Sequence, residues 1–209
     1  MLDFSTLGTF VVVVLGLLLI PGPAVLLVLT RTVQGGRTIG VFTGLGVAAG
    51  DLIHTLCAAV GLSALLMTSA LAFNIVKLAG AAYLLYLGVQ ALLEKPTLGY
   101  ALTPKPAAVS PRKAFVQAML IEVLNPEVAL FFLAFLPQFA QPERGATFWQ
   151  FVVLGLIFVA IGMLYLTAVI FSIRSLGRIM SRLHWLRRWE KKMIGIIFVL
   201  LGLKLAMQQ

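Results

Sequence analysis

Between Phe4 and Thr30 the chain carries 27 residues without a charge, and Pro21-Gly22-Pro23 stands towards the middle of them. Such a run is long enough to cross a bilayer, which takes roughly 20 apolar residues. Two prolines and a glycine at that depth remove backbone donors and interrupt the helix. In hydrocarbon a released backbone group has no water to bond, so the break persists only against other protein or a polar cavity. A second break, Asn125-Pro126, falls at the matching place in the other half of the chain. Discontinuous helices at mid-membrane are where secondary transporters build their binding sites, and the pair of breaks points to transport.

The composition agrees with a membrane domain: 61% of residues are hydrophobic and 11% charged, far from the soluble average. The 209 residues have room for about six spans in a single all-α domain. A net charge of +9 does not imply nucleic acid, because no soluble domain is left to bind it. Cys57 is the single cysteine, which excludes an intramolecular disulfide. The N-terminus carries Asp3 and no basic flank, and its apolar run exceeds a signal peptide's, so the first segment is expected to stay in the mature protein.

Apolar segments are expected at about 5–30, 39–67, 70–93, 113–138, 147–173 and 191–207. The Pro- and Thr-rich stretch 94–112 is a loop dividing two three-helix halves, 1–93 and 113–209. Of the 16 Lys and Arg, 13 fall in the connections after segments one, three and five; Lys77, Arg144 and Lys204 are the exceptions. The positive-inside rule places those connections in the cytoplasm and both termini in the periplasm. Arg174, Arg178 and Arg182, then Trp185 and Trp189, recur every four positions. They suit either an amphipathic helix on the membrane surface or a charged loop that fixes orientation.

A weak internal repeat accompanies the halves: Phe10 precedes Pro21 by 11 residues, and Phe115 precedes Pro126 by 11. With three spans per half, the second half enters from the opposite side, giving an inverted repeat with helices one and four broken.

Asp51 and His54 lie near the centre of the second segment. A carboxylate there is costly unless paired, hydrated or protonated, so Asp51 is either a proton-coupling group or a partner for a freed backbone amide. Gly36, Gly40 and Gly44, and Gly46 with Gly50, have the four-residue spacing of closely approaching helices, which would set Asp51 against a broken segment. His54, three residues on, either shares the proton or bonds within the bundle. Asp51, His54 and Cys57 superficially suggest a metal site, but such positions drift by about 60° per step around a helix. Glu122 and Glu127 flank Asn125-Pro126 and are read as lining a substrate or proton path. Helix restarts after Pro23 and Pro126 offer free N–H groups and positive dipole ends to a substrate carboxylate. Pro21, Gly22, Pro23, Glu122, Asn125, Pro126 and Glu127 are therefore the candidate substrate-binding residues, and Asp51 and His54 the candidate proton-coupling pair.

Several stretches resemble the LysE/RhtB superfamily: Pro21-Gly22-Pro23-Ala24 with Leu26 to Leu29, Gly46 to Asp51, Lys77 to Gly88, Asn125-Pro126 with Leu130 to Leu133, and Phe135 to Phe139. The resemblance covers nearly the whole chain. It implies a bacterial inner-membrane exporter of amino acids or close derivatives, driven by protons, with the branch exporting homoserine, threonine or leucine the most similar. The family usually has lysine where Glu127 stands and often asparagine where Glu122 stands, and the added carboxylates would favour a more cationic substrate. No cofactor is expected; the expected partners are a small substrate, protons and the bilayer, with a homo-oligomer left open. A metal or metabolite exporter and a non-transporting scaffold are the competing readings. An intramembrane protease would need two membrane aspartates or a His-Glu-x-x-His helix, which this sequence lacks.

Overall fold

The computed structural model describes residues 2–18, 22–93 and 109–180. Every regular element among them is a helix. In chain order these are α1 (Phe4–Leu18), α2 (Pro23–Thr68), α3 (Ala70–Leu93), α4 (Pro111–Val123), α5 (Pro126–Phe135) and α6 (Thr147–Met180), with 3-10 turns Leu136–Gln138 and Pro142–Arg144 between α5 and α6. Pro21, residues 94–108 of the expected loop, Trp185, Trp189 and the sixth segment 191–207 lie outside the described residues, as does the side chain of Glu127.

Local chemistry sets the boundaries. Asp3 Oδ1 accepts the Thr6 N–H at 2.7 Å and opens α1. Gly22 is extended and Pro23 takes the first position of α2, where its missing N–H costs nothing. Ser69 ends α2, and its hydroxyl accepts the Ala72 N–H at 3.1 Å to start α3. Ser110 accepts the Lys113 N–H and Pro111 follows it at the start of α4.

The basic connection expected between Thr30 and Ile39 is helical apart from one residue. Gly36 has φ 80° and ψ 178°, a conformation open to glycine, and there α2 doubles back. Its short arm, 23–35, lies against its long arm, 37–68: a side chain at Gly40 would collide with Thr32, four residues on the other side of the turn. Continued at the same rise, that register brings Pro23 level with Ala49 and Gly50.

The long arm is the centre of the molecule. It runs parallel to α4, with Gly46 against Phe115 and Ala118 and Gly50 against Glu122. It runs antiparallel to α6, with Gly44 beside Leu166 and Ile170 and Thr55 against Gly155. Gly80 of α3 meets Ala134 of α5, and the Lys77 carbonyl accepts from Gln138 Nε2 at 2.9 Å, so that pair is antiparallel as well.

Among the described residues, two helices are long and apolar enough to cross a membrane, Pro23–Thr68 and Thr147–Ser172, or three if Pro111–Val123 with Val128–Gln138, bent by 56°, forms one span. Large apolar side chains such as Leu56, Val60, Leu71 and Leu164 face outward, as hydrocarbon contact requires. Within, two apolar clusters form. One joins Phe10 and Leu17 of α1, Leu62 of α2, Phe132 and Phe135 of α5 and Leu154 of α6. The other joins Val25, Val28 and Val47 of α2, Ala118 of α4, and Leu166 and Ile170 of α6.

At the end carrying the N-terminus, Asp3 pairs with Arg144 at 3.3 Å and accepts from Gln141 Nε2 at 2.9 Å. Gln150, buried, clasps Gln141 through its backbone N–H and carbonyl. The Gln141 and Thr6 bonds, with Arg144, hold the Asp3 carboxyl down at about 2, so the ion pair is intact at any physiological pH. At the other end Arg31 donates to Gln117 Oε1 at 3.0 Å, and Arg37 lies over the Phe171 ring.

Candidate functional site

The candidate site occupies the layer between the two apolar clusters. On α2 it falls between Val47 and Ala58, and on α4 beyond Ala118. Asp51, His54 and Glu122, all three buried, are in this layer, and so is the second chain break. At 1.5 Å per residue Asp51 is roughly 21–26 Å from either end of the long arm, near the middle of any bilayer the arm spans.

Glycine makes the juxtaposition possible. A Cβ on Gly50 would lie 2.5 Å from Glu122 Cβ and 2.8 Å from its Cγ, so α4 can close on α2 only where no side chain intervenes. That approach sets the buried carboxyls of Asp51 and Glu122 on adjoining helices. A single cation or proton placed between two such carboxylates offsets their repulsion.

At the second break the Glu122 carbonyl accepts the Asn125 N–H at 3.2 Å and meets His54 Nε2 at 3.0 Å. The His54 ring stacks on Phe132, with centroids 5.8 Å apart. In α5 the first intrahelical bond is Ala129 N–H to the Asn125 carbonyl, so the N–H groups of Glu127 and Val128 precede it. In α2 the first is Leu26 N–H to Gly22, and those of Ala24 and Val25 precede it. The short arm of α2 and α5 run in opposite directions, and both begin in the layer of Asp51.

Asp51, His54, Glu122 and Asn125, with Pro126 directly after, are thus brought together, and Pro23 reaches their level by continuing the register of the α2 hairpin. Pro21 and the Glu127 side chain lie outside the described residues. Cys57 is exposed while Asp51 and His54 are buried, so the three do not converge. Sequence reasoning passed over Phe132, whose ring backs His54; its sign was the aromatic run Phe131-Phe132 directly after the break. It also passed over the Asp3, Gln141, Arg144 and Gln150 cluster, signalled by a glutamine buried inside an apolar segment.

A family model described as LysE type translocator matches residues 15–209. An uncharacterized membrane protein of Pseudomonas aeruginosa is 33% identical over 98% of this chain and 96% of its own. The leucine efflux protein of Salmonella typhimurium is 32% identical over 96% of this chain and 94% of its own. That of an Enterobacter species is 29% identical, over 98% and 97%. No solved structure matches the chain.

Proposed function

Because this chain belongs to the LysE type translocator family, a family of transporters rather than enzymes, we propose that it exports amino acids or close derivatives across the bacterial inner membrane by proton antiport. The observation that carries this reading is the layer itself: two helix restarts and two carboxylates at one depth between two apolar clusters. The restarts at Pro23 and Pro126 present N–H groups suited to a substrate carboxylate. Asp51 and Glu122 supply the counter-charge for its ammonium and, when the substrate has left, the place for a proton. The efflux proteins among the relatives are named for leucine; Glu122, where the family often has asparagine, favours a substrate of greater positive charge. Proteoliposomes holding the purified protein and a pH-sensitive dye test this directly. A subset of an amino-acid panel should drive proton movement against the substrate's flow. A panel that moves no protons and no substrate leaves the scaffold reading in its place.

The reading extends to six spans in two inverted halves with both termini periplasmic. It is supported by the 13-to-3 distribution of basic residues and by the packing directions of α2 with α4 and α6, which alternating spans require. Reporter fusions at Gln209 and within 100–110 should report opposite sides of the membrane; matching signals would remove the inverted repeat.

A further inference from the structure

Pro126 has no N–H, and in an unbroken helix the N–H of residue 126 is the one that would bond to the Glu122 carbonyl. The break therefore leaves that carbonyl short of its donor inside the protein, where an unsatisfied acceptor is costly. Asn125 N–H reaches it at 3.2 Å, a tight-turn bond of poorer geometry. The Leu124 N–H, shared with the Leu120 carbonyl, is a further local partner, and a partner from a different helix is His54 Nε2, at 3.0 Å. A carbonyl only accepts, so Nε2 carries the hydrogen of this bond. The same ring stacks on Phe132, which lies on α5 beyond the break. His54 thus touches both sides of the 56° bend, and Gly50 one turn earlier provides the closeness that lets it reach.

We propose that His54 is a positioning residue: it takes the place of the N–H that Pro126 lacks, and so holds the bend and the aim of both the Glu122 carboxyl and the α5 N-terminus. Its work in this account is done by the Nε2 hydrogen and the ring face, with no change of protonation. Among the described residues the titratable groups nearest it are Asp51, three positions earlier on its own helix, and Glu122 on α4, and these are left to carry the proton. The inference rests on the transport reading for one arm of its test only.

The first arm measures melting temperature in detergent and needs no transport. His54→Ala should lower it in the parent. In a Pro126→Ala background, where the new N–H can bond to the Glu122 carbonyl, His54→Ala should cost little more. Equal losses in both backgrounds would overturn the proposal. The second arm measures flux. His54→Ala should lower export by about tenfold, the scale of one buried acceptor left unpaired. His54→Gln, which keeps a donor and cannot titrate, should restore most of it with an unchanged pH profile. A His54→Gln protein that melts like the parent yet no longer exports would show that the ring's proton is used, and would sink the idea. If no variant and no parent exports anything, the transport reading fails while the melting-temperature cycle still decides the role of His54.

Discussion

Asp51→Asn is expected to insert, fold and melt like the parent and to lose gradient-driven export by at least about a hundredfold, the scale seen when a proton-transferring side chain is removed. The substitution keeps size and hydrogen-bonding capacity but cannot take up a proton. Asp51 is buried on the face of α2 that meets α4, and asparagine fills the same space, so a loss of stability is not expected. Efflux across an imposed pH gradient and melting temperature on the same preparation give the answer. An Asp51→Asn protein that pumps normally would move the coupling to another group, with Glu122 next.

The second large effect concerns packing. A Cβ on Gly46 would collide with the Phe115 carbonyl oxygen and lie 2.9 Å from Ala118 Cβ. These are backbone and near-backbone atoms that cannot swing away, so α4 would have to retreat and carry Glu122 with it. Gly46→Val should cost about 3 kcal/mol or more, the upper range for overpacking, enough to leave little folded protein in the membrane. Gly61 sits on the same arm with nothing within 4 Å of its Cβ position. Gly61→Ala should be neutral or gain up to roughly 1 kcal/mol from helix propensity. Thermal melts of the two variants beside the parent make the comparison. Equal behaviour at both positions would mean that the α2–α4 contact is not what holds the layer together.

The sequence carried a good deal of this, and the reasons are physical. Breaks at Gly22-Pro23 and at Asn125-Pro126 are legible because proline's missing donor acts locally, whatever surrounds it. The glycine spacing announced a close approach, and Gly46 and Gly50 make one. That a broken segment approaches Asp51 was legible; that its partner is Glu122, 71 residues away, was not, because no local pattern encodes so distant a pairing. The hairpin inside α2 was missed for the opposite reason. Arg31 to Arg37 read as a polar connection, whereas the helix continues on both sides and a single positive φ at Gly36 makes the turn. His54 was visible as a residue but not as a cap, since its bond depends on a carbonyl that another helix releases.

The order of synthesis gives the α2–α4 contact a further meaning. α2 leaves the ribosome well before α4, and at 5–20 residues per second the 71 residues from Asp51 to Glu122 take roughly 4–14 s. Throughout that interval Gly46, Gly50 and His54 lack the contacts that α4 later makes with them, because α4 lies further along the chain. The nascent first half is thus an incomplete object, with a polar stripe that lipid cannot satisfy. Its maturation waits on the arrival of α4, which ties the fate of each half to the other during biogenesis as well as in the finished protein.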